Sequence, residues 1–172
     1  NSVLPSDFEF INEDISKKTL EKIVSRLIVE YGRDEVAPIL DKIKTFGFTY
    51  ATRSGISWGL DDLKVPGDKK RILDEAATEA KTIKEQYDEG LLTDEERYDK
   101  IISLWSEVKR RVDELVPKML DEEGPIHSMV TSAARGSWTQ VTQMSGMKGL
   151  VRNPAGRTIE LPILSSYKEG LN

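Results

Sequence analysis

Hydrophobic and polar positions alternate along this chain with the period of helices. Leu20, Ile23, Val24, Leu27, Ile28 and Tyr31 recur at i, i+3, i+4, i+7, i+8 and i+11, so one face of a helix is apolar, with Asp14 or Ser16 to cap its start and Gly32 to stop it. Val36, Ile39, Leu40, Ile43 and Phe46 predict a second helix, ending at Gly47, with Pro38 tolerated in its first turns. The two pack together. Between them and the next helical pattern lies "FGFTYATRSGISWGLDDLKVPG", where aromatic and β-branched residues are interrupted by Gly47, Gly55, Gly59 and Pro66. That pattern predicts extended or irregular chain, buried as a connector.

The third segment is the most regular. Ile72, Ala76, Ile83 and Tyr87 form one stripe, and Tyr98, Ile101, Trp105, Val108, Val112, Leu115 and Met119 form a second, in alternating steps of three and four. Between the stripes "DEGLLTDEER" supplies Gly90 as a helix stop and Thr93 with Glu96 as a capping box, which predicts an antiparallel coiled-coil hairpin. Pro117 should kink or end its second arm. A charged hairpin of this kind serves either as a solvated packing element or as a post whose tip stands clear for docking. In the fourth segment Ser137 followed by Gln140 predicts a helix start, with Val141 and Met144 facing inward.

The fold class expected is therefore mainly α: a helical hairpin projecting from a small helical body with irregular and short extended segments. Three regions are expected: a helical body and extended connector over 1–66, the hairpin over 67–122, and a glycine- and serine-rich region over 123–172.

Composition narrows the chemistry. The chain has 172 residues, enough for one or two compact domains. It contains no Cys and one His, which excludes disulfides, thiolate metal sites and a cysteine nucleophile, and makes structural zinc implausible. No apolar run approaches the roughly 18 residues of a membrane span, so no membrane association is expected and the location expected is cytoplasmic. The net charge of −5 argues against a general nucleic-acid binder. The charge is unevenly spread: residues 131–160 carry Arg135, Lys148, Arg152 and Arg157 against Glu160 alone. The first residue is Asn1 rather than Met, and the closing "SYKEGLN" reads as the approach to a further helix, so a longer parent chain is expected.

Catalytic motifs are missing. The stretch around Gly146, Met147 and Lys148 has Val141 five positions before its glycine and Gly149 after its lysine, so it is no phosphate loop. His127 has no second His or Cys, and Ser128 has no acidic partner at a triad spacing. Asp61 and Asp62 suit a turn cap better than a cation site. One anion site is physically reasonable, because Arg135 and Gly136 precede the free amides of the helix starting at Ser137.

Several stretches together resemble a known family. "FGFTYATRSGISWGLDDLKVP", "YDEGLLTDEERYDKIISLW", "SAARGSWTQVTQMSGMKGLVRNPAGRTIELPI" and "SYKEGLN" are similar to the largest catalytic subunit of bacterial-type multisubunit RNA polymerases, the beta-prime chain. The resemblance spans essentially the whole chain, is strong from Phe46 onward, and is looser before it, where "LPSDFEFIN" carries it. It implies the funnel region with its rim-helix hairpin, the F-loop, and the approach to the bridge helix. It implies that Arg135 approaches the triphosphate of the incoming nucleotide, with Gly136, Ser137, Gln140, Gln143, Met144 and Gly146 as structural surround. It further implies that the hairpin tip at Asp88, Glu89, Gly90, Leu91 and Leu92 docks transcript-cleavage and stringent-response factors. The partners implied are the beta, alpha, omega and sigma subunits, the NTP substrate, and DNA and RNA through the full enzyme. The aspartate-rich motif that holds the family's catalytic Mg2+ does not occur here, so no catalytic residue and no bound metal or cofactor is expected in this chain, and the chain alone should be inactive. A free-standing helical protein that copies the hairpin and binds transcription factors is the alternative. An independent nucleotide hydrolase is disfavoured for want of a nucleophile, metal cluster or phosphate loop.

Overall fold

A computed structural model describes residues 2–171. Helices dominate, and among the described residues the only sheet-like pairing is two isolated antiparallel bridges, Gly149 with Ile163 and Arg152 with Thr158. Helix α1 spans Lys17–Ser54, α2 Lys69–Asp88, α3 Asp94–Met119, α4 Pro125–Thr131 and α5 Trp138–Ser145, with a short 3-10 turn at Leu60–Asp62.

Ser16 caps α1 by accepting the Thr19 amide at 3.2 Å. Gly32, at φ 73° and ψ 175°, breaks the helix into two arms, a conformation that only glycine adopts without strain. The arms close on a small core of Ile23, Leu27, Val36 and Ile39, with Phe8 from the preceding segment.

The second arm corrects the sequence reading. It runs through Gly47 to Ser54 rather than stopping at Gly47. Once a helix is nucleated, each added residue fixes little and gains a hydrogen bond, so one glycine and a few aromatics do not end it. Phe46 and Tyr50, one turn apart, also stack at 4.6 Å between ring centroids. Nor is the connector buried: Phe48, Tyr50, Ile56, Trp58 and Leu60 are exposed, and only Leu63 and Pro66 are covered. Trp58 only borders other elements, at the edge of a cavity beside α4 and α5, and stays 46% exposed.

The hairpin forms as its periodicity predicts. α2 and α3 are antiparallel and enclose Ile72, Ala76, Ile83, Ile101, Trp105, Val108 and Val112. Gly90 takes φ 76°, the left-handed turn that ends α2, and its amide bonds to the Tyr87 carbonyl at 2.9 Å. The capping box is complete: Thr93 Oγ1 accepts the Glu96 amide at 3.2 Å, and Glu96 Oε2 accepts the Thr93 amide at 2.9 Å. Pro117 lies in the last turn, and α3 ends two residues beyond it. Tyr87 is exposed rather than in the seam, and Val116 is buried in its own cluster with Leu63, Leu120, Ile126, Val130 and Val141.

Candidate functional site

The glycine- and serine-rich region folds onto the C-terminal half of α3. Ser137 caps α5 by accepting the Gln140 amide at 3.4 Å, and the helix then buries Val141, Thr142 and Ser145. Where α5 ends, Gly146 sits so close to α3 that a Cβ atom there would lie 3.1 Å from Val112 Cγ1 and 3.3 Å from Val116 Cγ2. Met147 follows at 0% exposure, inserted into the hairpin core. Gly149 then pairs with Ile163 through bonds of 2.9 and 3.0 Å, with the Lys109 stem lying over it. The stretch from α5 to Gly149 is therefore seated on α3, while residues 131–137 before it are exposed.

The loop before α5 is tight. Ala133 adopts φ 57°, a left-handed backbone that costs a non-glycine residue about 1–2 kcal/mol, and the Arg135 amide reaches back to the Met129 carbonyl at 3.5 Å. Arg135 and Gly136 then open onto a cavity of about 510 Å³ formed with Gln140, Gln143, Met144 and Val141 of α5. Ile126, Met129 and Val130 of α4, Leu63 and Trp58 of the connector, and Tyr167 complete its wall. The volume lies within the range of ligand pockets, and its lining is apolar with a few polar groups, as such pockets are.

Of the predicted surround of Arg135, then, Gly136, Gln140, Gln143 and Met144 line this cavity, while Ser137 caps the helix and Gly146 makes the contact to α3. Among the described residues Arg135 has no ion-pair partner, so its charge is free to meet a ligand. The amides at the α5 start offer less than the sequence reading supposed, because Ser137 already occupies that of Gln140. α4 is the element that reading missed, although Ile126, Met129 and Val130 carry the i, i+3, i+4 signal of a helix face. Tyr167 had no local signal; it arrives through backbone bonds from the Tyr167 and Lys168 amides to the Gln143 and Met144 carbonyls, at 3.1 and 3.0 Å.

The hairpin tip lies about 27 Å from the Gly146 contact, counting 1.5 Å for each residue from Asp94 to Val112. Asp88, Glu89, Gly90 and Leu91 are exposed, Leu91 at 68%, while Leu92 packs against the hairpin core. The two leucines are thus split, one outward and one inward. The tip is also braced: Arg97 pairs with Glu160 and with Asp94, Tyr98 donates to the Thr158 carbonyl at 3.0 Å, and Arg157 lies 4.5 Å above the Tyr98 ring. The bonds to Glu160 and Asp94 push the Arg97 pKa up. The segment around Thr158 and Glu160 thus buttresses the hairpin just behind its exposed tip.

No group of three or more His, Asp and Glu side chains placed to hold a metal exists among the described residues. Asp62 Oδ2 accepts the Gly59 amide at 2.7 Å and so caps the 3-10 turn. This donor set does not fit a catalytic Mg2+. No helix among the described residues is long and apolar enough to cross a membrane.

Comparison with known proteins follows the same outline. The family model "RNA polymerase Rpb1, domain 3" matches residues 3–63, and "RNA polymerase Rpb1, domain 4" matches residues 92–169. The DNA-directed RNA polymerase subunit beta' of Tropheryma whipplei is 44% identical over 172 residues, covering 100% of this chain and 13% of that subunit. That of Caldicellulosiruptor saccharolyticus is 40% identical over 185 residues, covering 100% and 16%, and that of Geobacillus kaustophilus is 44% identical over 155 residues, covering 90% and 13%. The chain thus spans 13 to 16% of the length of these relatives.

Proposed function

Because this chain belongs to the family of the largest subunit of DNA-directed RNA polymerase, beta' in bacteria, we propose that it forms the part of the subunit that lines the secondary channel and receives the incoming nucleotide. One observation carries the reading: Arg135, without an ion pair among the described residues, converges with Gly136, Gln140, Gln143 and Met144 on a single cavity. A guanidinium offers a planar donor fork matched to phosphate oxygens, and its charge persists at any working pH. Small uncharged neighbours leave that charge undiluted and let adjoining elements move during each addition cycle.

In this reading Arg135 orients the triphosphate of the NTP as it enters, and the Mg2+ that would supply the catalysis would be held by aspartates outside this chain. The chain alone polymerises nothing. DNA and RNA are met through the assembled enzyme with its beta, alpha, omega and sigma subunits. The hairpin tip docks transcript-cleavage and stringent-response factors that enter the channel, with Leu91 as the apolar anchor and Asp88 and Glu89 steering the encounter.

The test is Arg135→Ala, with Arg135→Lys beside it, in polymerase assembled with the full-length subunit, followed by single-nucleotide addition kinetics. Hydrogen bonds to a charged group contribute about 1.5–3 kcal/mol, so KM for the nucleotide should rise about 10- to 100-fold in Arg135→Ala. Arg135→Lys should recover part of that loss. Unchanged KM and kcat on all four nucleotides would refute the contact.

A further inference from the structure

Lys69 is the first residue of α2, at the base of the hairpin, and is 4% exposed. Lysine is almost never this buried unless paired. Its partner is Glu169, a hundred positions away, whose Oε2 also accepts the Ser166 amide at 2.8 Å and the Ser166 hydroxyl at 2.7 Å. Ser166 itself is fully buried. The turn that carries Glu169 holds other parts of the site at the same time. Its Tyr167 and Lys168 amides bond to the α5 carbonyls of Gln143 and Met144, and the Lys168 ammonium donates to the carbonyl of Leu63. Gln143, Met144, Leu63 and Tyr167 all line the Arg135 cavity.

One short turn therefore grips the hairpin base on one side and the cavity wall on the other. Stability alone does not call for an ion pair at this joint, since an apolar pair of similar volume is generally as stabilising. Only the Lys69 end of the pair is buried, Glu169 being partly exposed, and that buried end enforces a single register, because sliding α2 past the turn would leave the Lys69 charge unpartnered. Packed elements held this way shift between discrete arrangements rather than deforming smoothly.

We infer that Lys69 and Glu169 are positioning residues that fix the hairpin base against the wall of the Arg135 cavity, so that the placement of the hairpin sets how well the nucleotide is held. The inference rests on the reading of Arg135 as the nucleotide contact.

The experiment compares Lys69→Met, Lys69→Arg, Arg135→Ala and the double variant Lys69→Met with Arg135→Ala, each in polymerase assembled with the full-length subunit, by single-nucleotide addition kinetics. Lys69→Met keeps the apolar stem and removes the charge. It should raise the nucleotide KM about tenfold, within the usual span of coupling between sites, with kcat held. Lys69→Arg should return KM toward the parent value, and adding Lys69→Met to Arg135→Ala should raise KM no further. Should Lys69→Met fail to assemble, Glu169→Gln is measured in its place against the same expectations. An unchanged KM in Lys69→Met beside a raised one in Arg135→Ala overturns the positioning role and leaves the nucleotide contact standing, as does an additive double variant. An unchanged KM in Arg135→Ala overturns the contact, and this inference with it.

Discussion

Replacing Gly146 by alanine adds a single methyl group where the structure has no room for one. An ideal Cβ would lie 2.7 Å from the Thr142 carbonyl oxygen, besides its contacts at 3.1 and 3.3 Å with Val112 and Val116. The oxygen cannot simply retreat, because it accepts the Gly146 amide at 2.7 Å. The two valines are buried to within 1% of complete and hold the C-terminal half of α3, so the relief must come from α5 lifting away. Overpacking a close-packed core costs about 1–3 kcal/mol, and a backbone oxygen as the obstacle puts Gly146→Ala at about 2–3 kcal/mol. For a chain of this size each kcal/mol shifts Tm by about 2–4 °C, so Tm should fall by about 5–10 °C. Gly47→Ala is the matching control: it lies inside α1 with open space around its Cβ, and should raise stability by about 0.5–1 kcal/mol. Thermal unfolding followed by far-ultraviolet circular dichroism measures both. A Gly146→Ala chain that melts at or above the parent temperature would show that α5 does not seat on α3 as described.

Thr93→Ala removes the side-chain half of the capping box at the start of α3 and should lower stability by about 1 kcal/mol, read from urea midpoints at constant slope. Burial works to raise the Glu169 carboxyl, but the bonds from Lys69 and Ser166 outweigh it and hold its pKa below the ordinary 4.5. A carboxylate depressed in the folded state adds stability that is fully present above its unfolded pKa and is lost as pH falls through the folded one. Between pH 7 and the region below 4.5, the parent chain should therefore lose more unfolding free energy than Glu169→Gln, and equal losses in urea titrations would count against the network. Leu91→Asp, at an exposed position, should leave Tm within a degree or so while weakening the binding of secondary-channel factors to the assembled polymerase; factor affinity equal to the parent's would remove Leu91 as the anchor.

Much of this molecule is written in interactions that reach no further than four residues along the chain. The hairpin is the clearest case: its two apolar stripes, the Gly90 stop and the Thr93 and Glu96 box are all local, and each formed where the pattern placed it, Tyr87 excepted. The Ser16 and Ser137 caps were legible for the same reason. The run of α1 past Gly47 was not, because residue preferences there differ by only a few tenths of a kcal/mol each and the helix already in place decides the outcome.

Local pattern was enough to read the mainly α class, the hairpin and the family resemblance, and to single out Arg135. Only the folded arrangement shows that the hairpin is braced near its tip by Thr158 and Glu160, that Leu91 and Leu92 face opposite ways, and that Met147 plugs the hairpin core. It also decided that Leu63, α4 and Tyr167 close a cavity around Arg135, and that Lys69 meets Glu169. The reason is physical. Helix faces and caps are fixed by neighbours within a turn, whereas pairing across a hundred residues depends on the path of every loop between them, and no local pattern encodes that path.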